Sequence, residues 1–148
     1  MHPGCLSAVP STSTCETLIG LKGDVTEWRT PFSPMSVAQV EVLCTALRQP
    51  GCKLRMLYLD EGGIDAAGAV VLAKALAVEK TSVEWLDMDN CGLGAESVAP
   101  LVEMLKVNTT LTRLFMGSNE FDEAAKQQLK DAAKEREERT GVGLGLLV

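Results

Sequence analysis

The chain has 148 residues, of which 46% are hydrophobic, 23% charged and 4% aromatic, with a formal net charge of -6 from 20 acidic and 14 basic residues. That length allows one domain, the apolar and charged fractions exclude wholesale disorder, and the acidic balance excludes a nucleic-acid partner, which needs clustered Lys and Arg. With so few aromatics, the core must be filled by Leu, Val, Ala and Met, a composition suited to thin, repetitive packing.

Residues 1–20, rich in Ser, Thr, Pro and Gly, have no hydrophobic period and are expected to be disordered. Their opening, MHPGCLSAVPSTSTC, lacks the positive and apolar regions of a secretory signal. No apolar run in the chain approaches the roughly 18 residues of a membrane-spanning helix, so no membrane partner is expected. The five cysteines, Cys5, Cys15, Cys44, Cys52 and Cys91, are odd in number and form no CxxC pair. That set fits neither a zinc site nor a complete disulfide framework, and places the chain in a reducing compartment, cytoplasm or nucleus.

A repeat domain is expected over 21–140, and from Val25 the apolar positions acquire a pattern, at first a degenerate one. Residues 25–53 are expected to form a decayed or capping repeat: Thr30 stands where an inward apolar residue belongs, and Pro31 and Pro34 interrupt pairing. Its helix is expected over Ser36–Arg48, because Leu43 and Leu47 precede Leu72 and Leu76 by the same interval that separates Leu72 and Leu76 from Leu101 and Leu105.

Three regular units follow, over 54–82, 83–110 and 111–139. Leu54, Leu57, Leu59 and Ile64 align with Val83, Leu86, Met88 and Leu93, and again with Leu111, Leu114, Met116 and Phe121, so that the units start at nearly even intervals. Each first half alternates like a strand and each second half carries apolar residues at helical spacing, so each unit is a strand followed by a helix. Asp65 caps a helix over Ala66–Val78, and Asp122 caps one beginning near Glu123. The middle helix, Ala95–Val107, contains Pro100 and is expected to have a ragged first turn. The run Lys134–Arg139 alternates in sign, as a solvated helix end does, and residues 141–148 read as an apolar, Gly-interrupted tail.

The pattern LxxLxLxx(N/C)xL, followed by a helix and recurring about every 28 to 29 residues, resembles the leucine-rich repeats of the ribonuclease-inhibitor family. The resemblance is best from Leu54 to about Arg136, with a weaker extension back to Met35. It implies an α/β solenoid, a right-handed βα superhelix with a parallel concave sheet and convex helices. It also implies that the side chain at the Asn/Cys position bonds the turn between strand and helix. Gly62, Cys91 and Asn119 occupy that position, and only Asn119 matches fully, so the first turn is expected to be looser.

A strand residue between two inward leucines must face the other way, which assigns the third and fifth positions of each unit to the concave face. The expected partner-binding residues are Met56, Tyr58, Asp60, Trp85, Asp87, Asp89, Arg113 and Phe115. Tyr58, Trp85 and Phe115 are three of the chain's six aromatics, and exposed aromatics ringed by polar groups suit a protein contact, with Trp85 as its anchor. The acids Asp60, Glu61, Asp87 and Asp89 favour a basic partner surface. The competing account is that the rings merely pack on one another across neighbouring strands.

No catalytic, cofactor or metal residues are assigned. Asp87 to Gly92 resembles the start of a calcium loop, but the twelfth position is Val98 and not a bidentate Glu. Gly92-Leu-Gly94 and Gly141-Val-Gly143-Leu-Gly145 lack the third glycine and the lysine of a phosphate loop. His2, the single histidine, offers no buried base. The function expected is a non-catalytic module that binds a protein. Two further readings stand beside it: a homo-oligomeric or larger assembly formed through the N-terminal edge or the tail, and, by resemblance, regulation of a small GTPase.

Overall fold

The structure is a computed structural model that describes residues 26–30 and 34–148. The expected disorder over residues 1–20, with Cys5 and Cys15, lies outside the described residues, as do Val25 and Pro31. Five short strands and four helices are present among the described residues: β1 (Glu27–Arg29), α1 (Val37–Leu47), β2 (Met56–Tyr58), α2 (Ala66–Leu76), β3 (Trp85–Asp87), α3 (Ala95–Val107), β4 (Arg113–Phe115), α4 (Glu123–Thr140) and β5 (Gly145–Leu147).

The strands form one sheet in chain order, β1-β2-β3-β4-β5, and every neighbouring pair is parallel. Trp28, Leu57, Leu86, Leu114 and Leu146 fall opposite one another in a single row. The inward positions Leu54, Leu57, Leu59 and Ile64, and their counterparts one and two units on, are buried in one continuous core with Leu43, Leu72, Leu101 and Leu129 of the helices. This is the solenoid that the spacing predicts. Strand, turn, helix and return loop close one coil, and coils stack because each has apolar groups on both of its sides.

Small residues set how closely the helices approach. A Cβ added to Gly68 in α2 would come within 2.8 Å of Ile64 Cγ1 and 3.1 Å of Val40 Cγ2, so glycine there lets α2 lie against α1 and its own strand. Ala69, Ala73 and Ala75 are buried on the same helix, and Lys74 is its only charged residue.

Caps appear where the side-chain chemistry places them. The Asp65 carboxylate accepts from Gly68 N–H at 2.8 Å, that of Asp122 accepts from Ala125 N–H at 2.7 Å, and Ser36 with Gln39 forms a reciprocal capping box on α1. Helix α3 runs through Pro100 from a Gly94 N-cap without a side-chain bond, and its first turn is closed by a tight bond from Ser97 N–H to the Gly94 carbonyl at 3.0 Å.

The turns that follow β2, β3 and β4 are stacked copies. Glu61, Asn90 and Ser118 each adopt the left-handed conformation, with φ of 57°, 53° and 54°. Glu61 and Gly62 N–H donate to the carbonyls of Asp89 and Asn90, one unit on, at 2.9 Å each. Asn119 then ties two turns together: Oδ1 accepts from Cys91 N–H at 2.9 Å and Leu93 N–H at 3.1 Å, and Nδ2 donates to the Met88 and Met116 carbonyls at 2.9 Å each. Cys91 Sγ donates to the Leu59 carbonyl at 3.0 Å, a reduced version of the same bond, and Gly62 has no side chain to make it.

Two expectations about the C-terminal part are corrected. Residues 141–148 are more than a tail: after Gly141 ends α4 with φ of 70°, the chain turns back and Gly145–Leu147 joins the sheet parallel to β4. Nor is the whole run Lys134–Arg139 solvated. Arg136 is 1% exposed, and its guanidinium donates to the carbonyls of Asn108 at 2.7 Å, Leu111 at 2.5 Å and Val142 at 3.4 Å. It satisfies the return loop ahead of β4, where Asn108 also works from inside, accepting from Thr110 and Leu111 N–H and donating to the Leu76 carbonyl.

Replacing Arg136 with Ala leaves those carbonyls unpaired beside a void and is expected to lower the unfolding free energy by about 2–4 kcal/mol. Lys134→Ala, on the exposed side of the same helical turn, is expected to change it by no more than about 0.5 kcal/mol. Denaturant unfolding of the two variants checks the contrast.

Candidate functional site

The outward side chains of the strands line up in rows across the sheet. Glu27, Met56, Trp85, Arg113 and Gly145 make one row, and Arg29, Tyr58, Asp87, Phe115 and Leu147 make the next. The alternation that buries Leu57, Leu86 and Leu114 leaves Met56, Tyr58, Trp85, Asp87 and Phe115 half-buried and Arg113 exposed. Asp60 and Asp89 stand where the turns begin, both half-buried. All eight residues expected at the site therefore share one face.

The aromatic residues touch. The Tyr58 and Trp85 rings have centroids 6.4 Å apart and are tilted by 49°, and those of Trp85 and Phe115 are 5.3 Å apart in an edge-on arrangement at 64°. Each such pair contributes about 0.5–1.5 kcal/mol beyond area burial, so the cross-strand packing account is realised in the geometry. Packing is not the whole description, however. Trp85 Nε1 is buried without a hydrogen-bond acceptor among the described residues, an arrangement that costs about 1–3 kcal/mol.

Two residues missed by sequence reasoning complete the face. Arg29, on β1, lies with its guanidinium carbon 4.7 Å from the Tyr58 ring centroid, and its Nη1 donates to Asp60 Oδ1 at 2.6 Å. Its position was readable, since it is the fifth residue of the degenerate unit that starts at Val25. Leu147, beside Phe115 and 52% exposed, was not readable. The step along the chain from Leu114 on β4 to its neighbour Leu146 on β5 is longer than the step from Leu86 to Leu114, because α4 is longer than the other helices, and β5 therefore falls outside the period.

The acids differ in what they hold. Asp60 is paired with Arg29, while Asp89 Oδ1 accepts from Gly117 N–H at 2.6 Å and so belongs to the stacked turns. Asp87 Oδ1 accepts from Asp89 N–H at 3.0 Å. Burial pushes the Asp87 carboxyl above its ordinary value; the Asp89 N–H bond lowers it, Asp89 and Asp60 raise it further, and Arg29 offsets part of the rise. Arg113 turns toward β5, donating to the Thr112 carbonyl at 3.2 Å, where a Cβ on Gly145 would come within 2.8 Å of its Cδ.

Among the described residues, no group of three or more His, Cys, Asp or Glu side chains is disposed to hold a metal ion. Cys44, Cys52 and Cys91 are free thiols, and burial pushes Cys44 up to about 11. None of the described helices is long and apolar enough to cross a membrane.

No family model matches the chain. It is similar to "NACHT, LRR and PYD domains-containing protein 1a allele 1" of Rattus norvegicus, 37% identical over 89 residues that take in 58% of this chain and 7% of that protein. It is also similar to the ribonuclease inhibitor of Mus musculus, 28% identical over 148 residues, 92% of this chain and 32% of that protein. The chain thus spans between 7% and 32% of the length of these two curated relatives. Among solved structures it resembles leiomodin-1 actin-binding site 2 with a TM-score of 0.67 and 18% identity, over 93% of this chain and 79% of that one. At that identity the likeness concerns the fold alone.

The raised pKa of Asp87 gives a testable sign. A carboxyl that ionises less readily in the folded chain costs stability above its folded-state pKa, and that cost disappears below its unfolded value. Asp87→Asn keeps the acceptor for Asp89 N–H and is expected to raise the midpoint of thermal unfolding at neutral pH. The gain is expected to shrink as pH falls through the raised value into the ordinary Asp range, and paired melts across that range check it.

Proposed function

The chain is a leucine-rich-repeat protein of the ribonuclease-inhibitor-like type, and we propose that it is a non-catalytic module whose concave sheet binds a protein partner. The observation that carries this reading is the contiguous stack of Tyr58, Trp85 and Phe115 on the outward side of three neighbouring strands. Rigid aromatic side chains bury much area at little entropic cost, and such residues at the centre of a contact carry a large share of binding energy. Met56 extends the stack toward β1 and Leu147 toward β5.

Electrostatics favours a partner with a basic surface. Asp60, Asp87 and Asp89 stand on the C-terminal side of the rings, and the chain as a whole carries a formal charge of -6. The unsatisfied Trp85 N–H and the poorly solvated Asp87 carboxylate both cost stability at the centre of this face. Groups kept at such a cost are what a contact surface requires and what simple sheet packing does not. Free thiols at Cys44, Cys52 and Cys91 support a reducing compartment as the setting.

One observation favours an assembly role as a second reading. In β5, Gly145 N–H and the Leu147 carbonyl bond toward β4, and the alternation of a parallel ladder directs the Leu146 N–H and carbonyl to the open side. The strand carries no charge or proline to protect that edge.

Trp85→Ala is expected to remove partners captured by the wild-type chain while shifting the thermal midpoint only slightly, because Leu86 beneath it stays packed. Loss of capture together with a large drop in stability would instead make the stack a structural element. Sedimentation over a range of concentrations addresses the edge: the concave-face reading expects a monomer, and a concentration-dependent dimer abolished by Leu146→Pro would establish the assembly reading.

A further inference from the structure

We infer that the concave sheet holds a receptor site for one arginine side chain, formed by the Asp87 carboxylate and the rings of Tyr58, Trp85 and Phe115. This names the partner chemistry of the contact surface proposed above and rests on that reading.

Three observations carry it. The first is how the acids of the face are used. Asp60 has its counter-ion in Arg29 at 2.6 Å, and Asp89 is drawn into the turn by Gly117 N–H at 2.6 Å. Asp87 holds only the N–H of Asp89, at 3.0 Å, through one oxygen. A carboxylate accepts through two oxygens, so Asp87 has accepting capacity left in a half-buried position.

The second is the surroundings of that carboxylate. Register places Tyr58 and Phe115 directly beside Asp87 on the two flanking strands. Trp85 precedes it by two positions on the same face, with its ring against both others. Rings attract a cation through their electron-rich faces, by about 0.5–1 kcal/mol at an exposed site and more when water is displaced. Arg113, the nearest cation in the Trp85 row, is turned away toward Gly145 and the Thr112 carbonyl and leaves the place open.

The third is that the same sheet already binds a guanidinium in this manner. Arg29 lies over the Tyr58 ring at 4.7 Å while donating to Asp60 at 2.6 Å. A ring and a carboxylate together hold one planar cation, and Asp87 with its three rings offers that combination one strand further along. A guanidinium suits it better than an ammonium, because a plane can stack on a ring while its edge donates in parallel to a carboxylate.

The test uses the whole chain labelled with nitrogen-15 and N-acetyl-arginine methylamide as probe, titrated at constant ionic strength, with the isosteric, uncharged citrulline analogue as control. Saturable shifts are expected for the Trp85 Nε1–H signal and for the amides of Tyr58, Asp87 and Phe115, with no such shifts from the citrulline compound. Asp87→Asn is expected to weaken the arginine probe about tenfold or more, and Glu96→Gln, on α3, to leave it unchanged. Shifts absent from these four residues, or equal in wild type and Asp87→Asn, would overturn the assignment. A partner lost on Trp85→Ala alongside a silent arginine titration would sink the arginine site and keep the contact surface, whereas capture unaffected by Trp85→Ala would sink the surface itself.

Discussion

Everything in this fold hangs on the row in which Leu57, Leu86, Leu114 and Leu146 stand opposite one another across parallel strands. A coil of this kind has no interior of its own; its apolar groups leave water only when the next coil lies in the same phase. Fully burying one Leu contributes about 1.5–3 kcal/mol, and Leu57, Leu86 and Leu114 are each 0% exposed. A shift of one residue in any strand would send that contribution to the wrong face, so the inner row also fixes which side chains appear outside.

Such short strands supply few ladder bonds, and the backbone between strand and helix must find partners elsewhere. Here it finds them in neighbouring units. Asn119 serves its own turn and the one before it, Cys91 reaches the Leu59 carbonyl, and Asn108 with Arg136 does the same for the return loop on the other side of the coil. These are polar side chains used in the interior because buried carbonyl and amide groups left alone would cost about 1–3 kcal/mol each. Arg136 is the extreme case, a cation held by three main-chain carbonyls.

The concave face is organised differently. Its rings stabilise the sheet through edge contacts, yet the middle ring carries an unsatisfied N–H and the acid beside it resists ionisation because it is partly desolvated. Stabilising and destabilising groups sit within one strand, Trp85 to Asp87. Asp89 stands in contrast: just beyond that strand, the same type of side chain is engaged by the Gly117 amide, so neighbouring acids of one face have separate roles.

The sequence by itself determined the repeat, the inward rows, the strand-then-helix order and the eight outward residues, because each of these depends only on period, and period is a property of the chain written in one dimension. Tertiary structure alone decided the rest. The fifth strand was hidden because α4 is longer than its predecessors and moves the next apolar pair out of phase. The burial of Arg136 was hidden because a charged run looks the same whether or not one member turns inward to carbonyls of the preceding return loop. Which acid keeps an open oxygen was hidden for the same reason: Arg29 and Gly117, which occupy Asp60 and Asp89, meet them only when the coils stack.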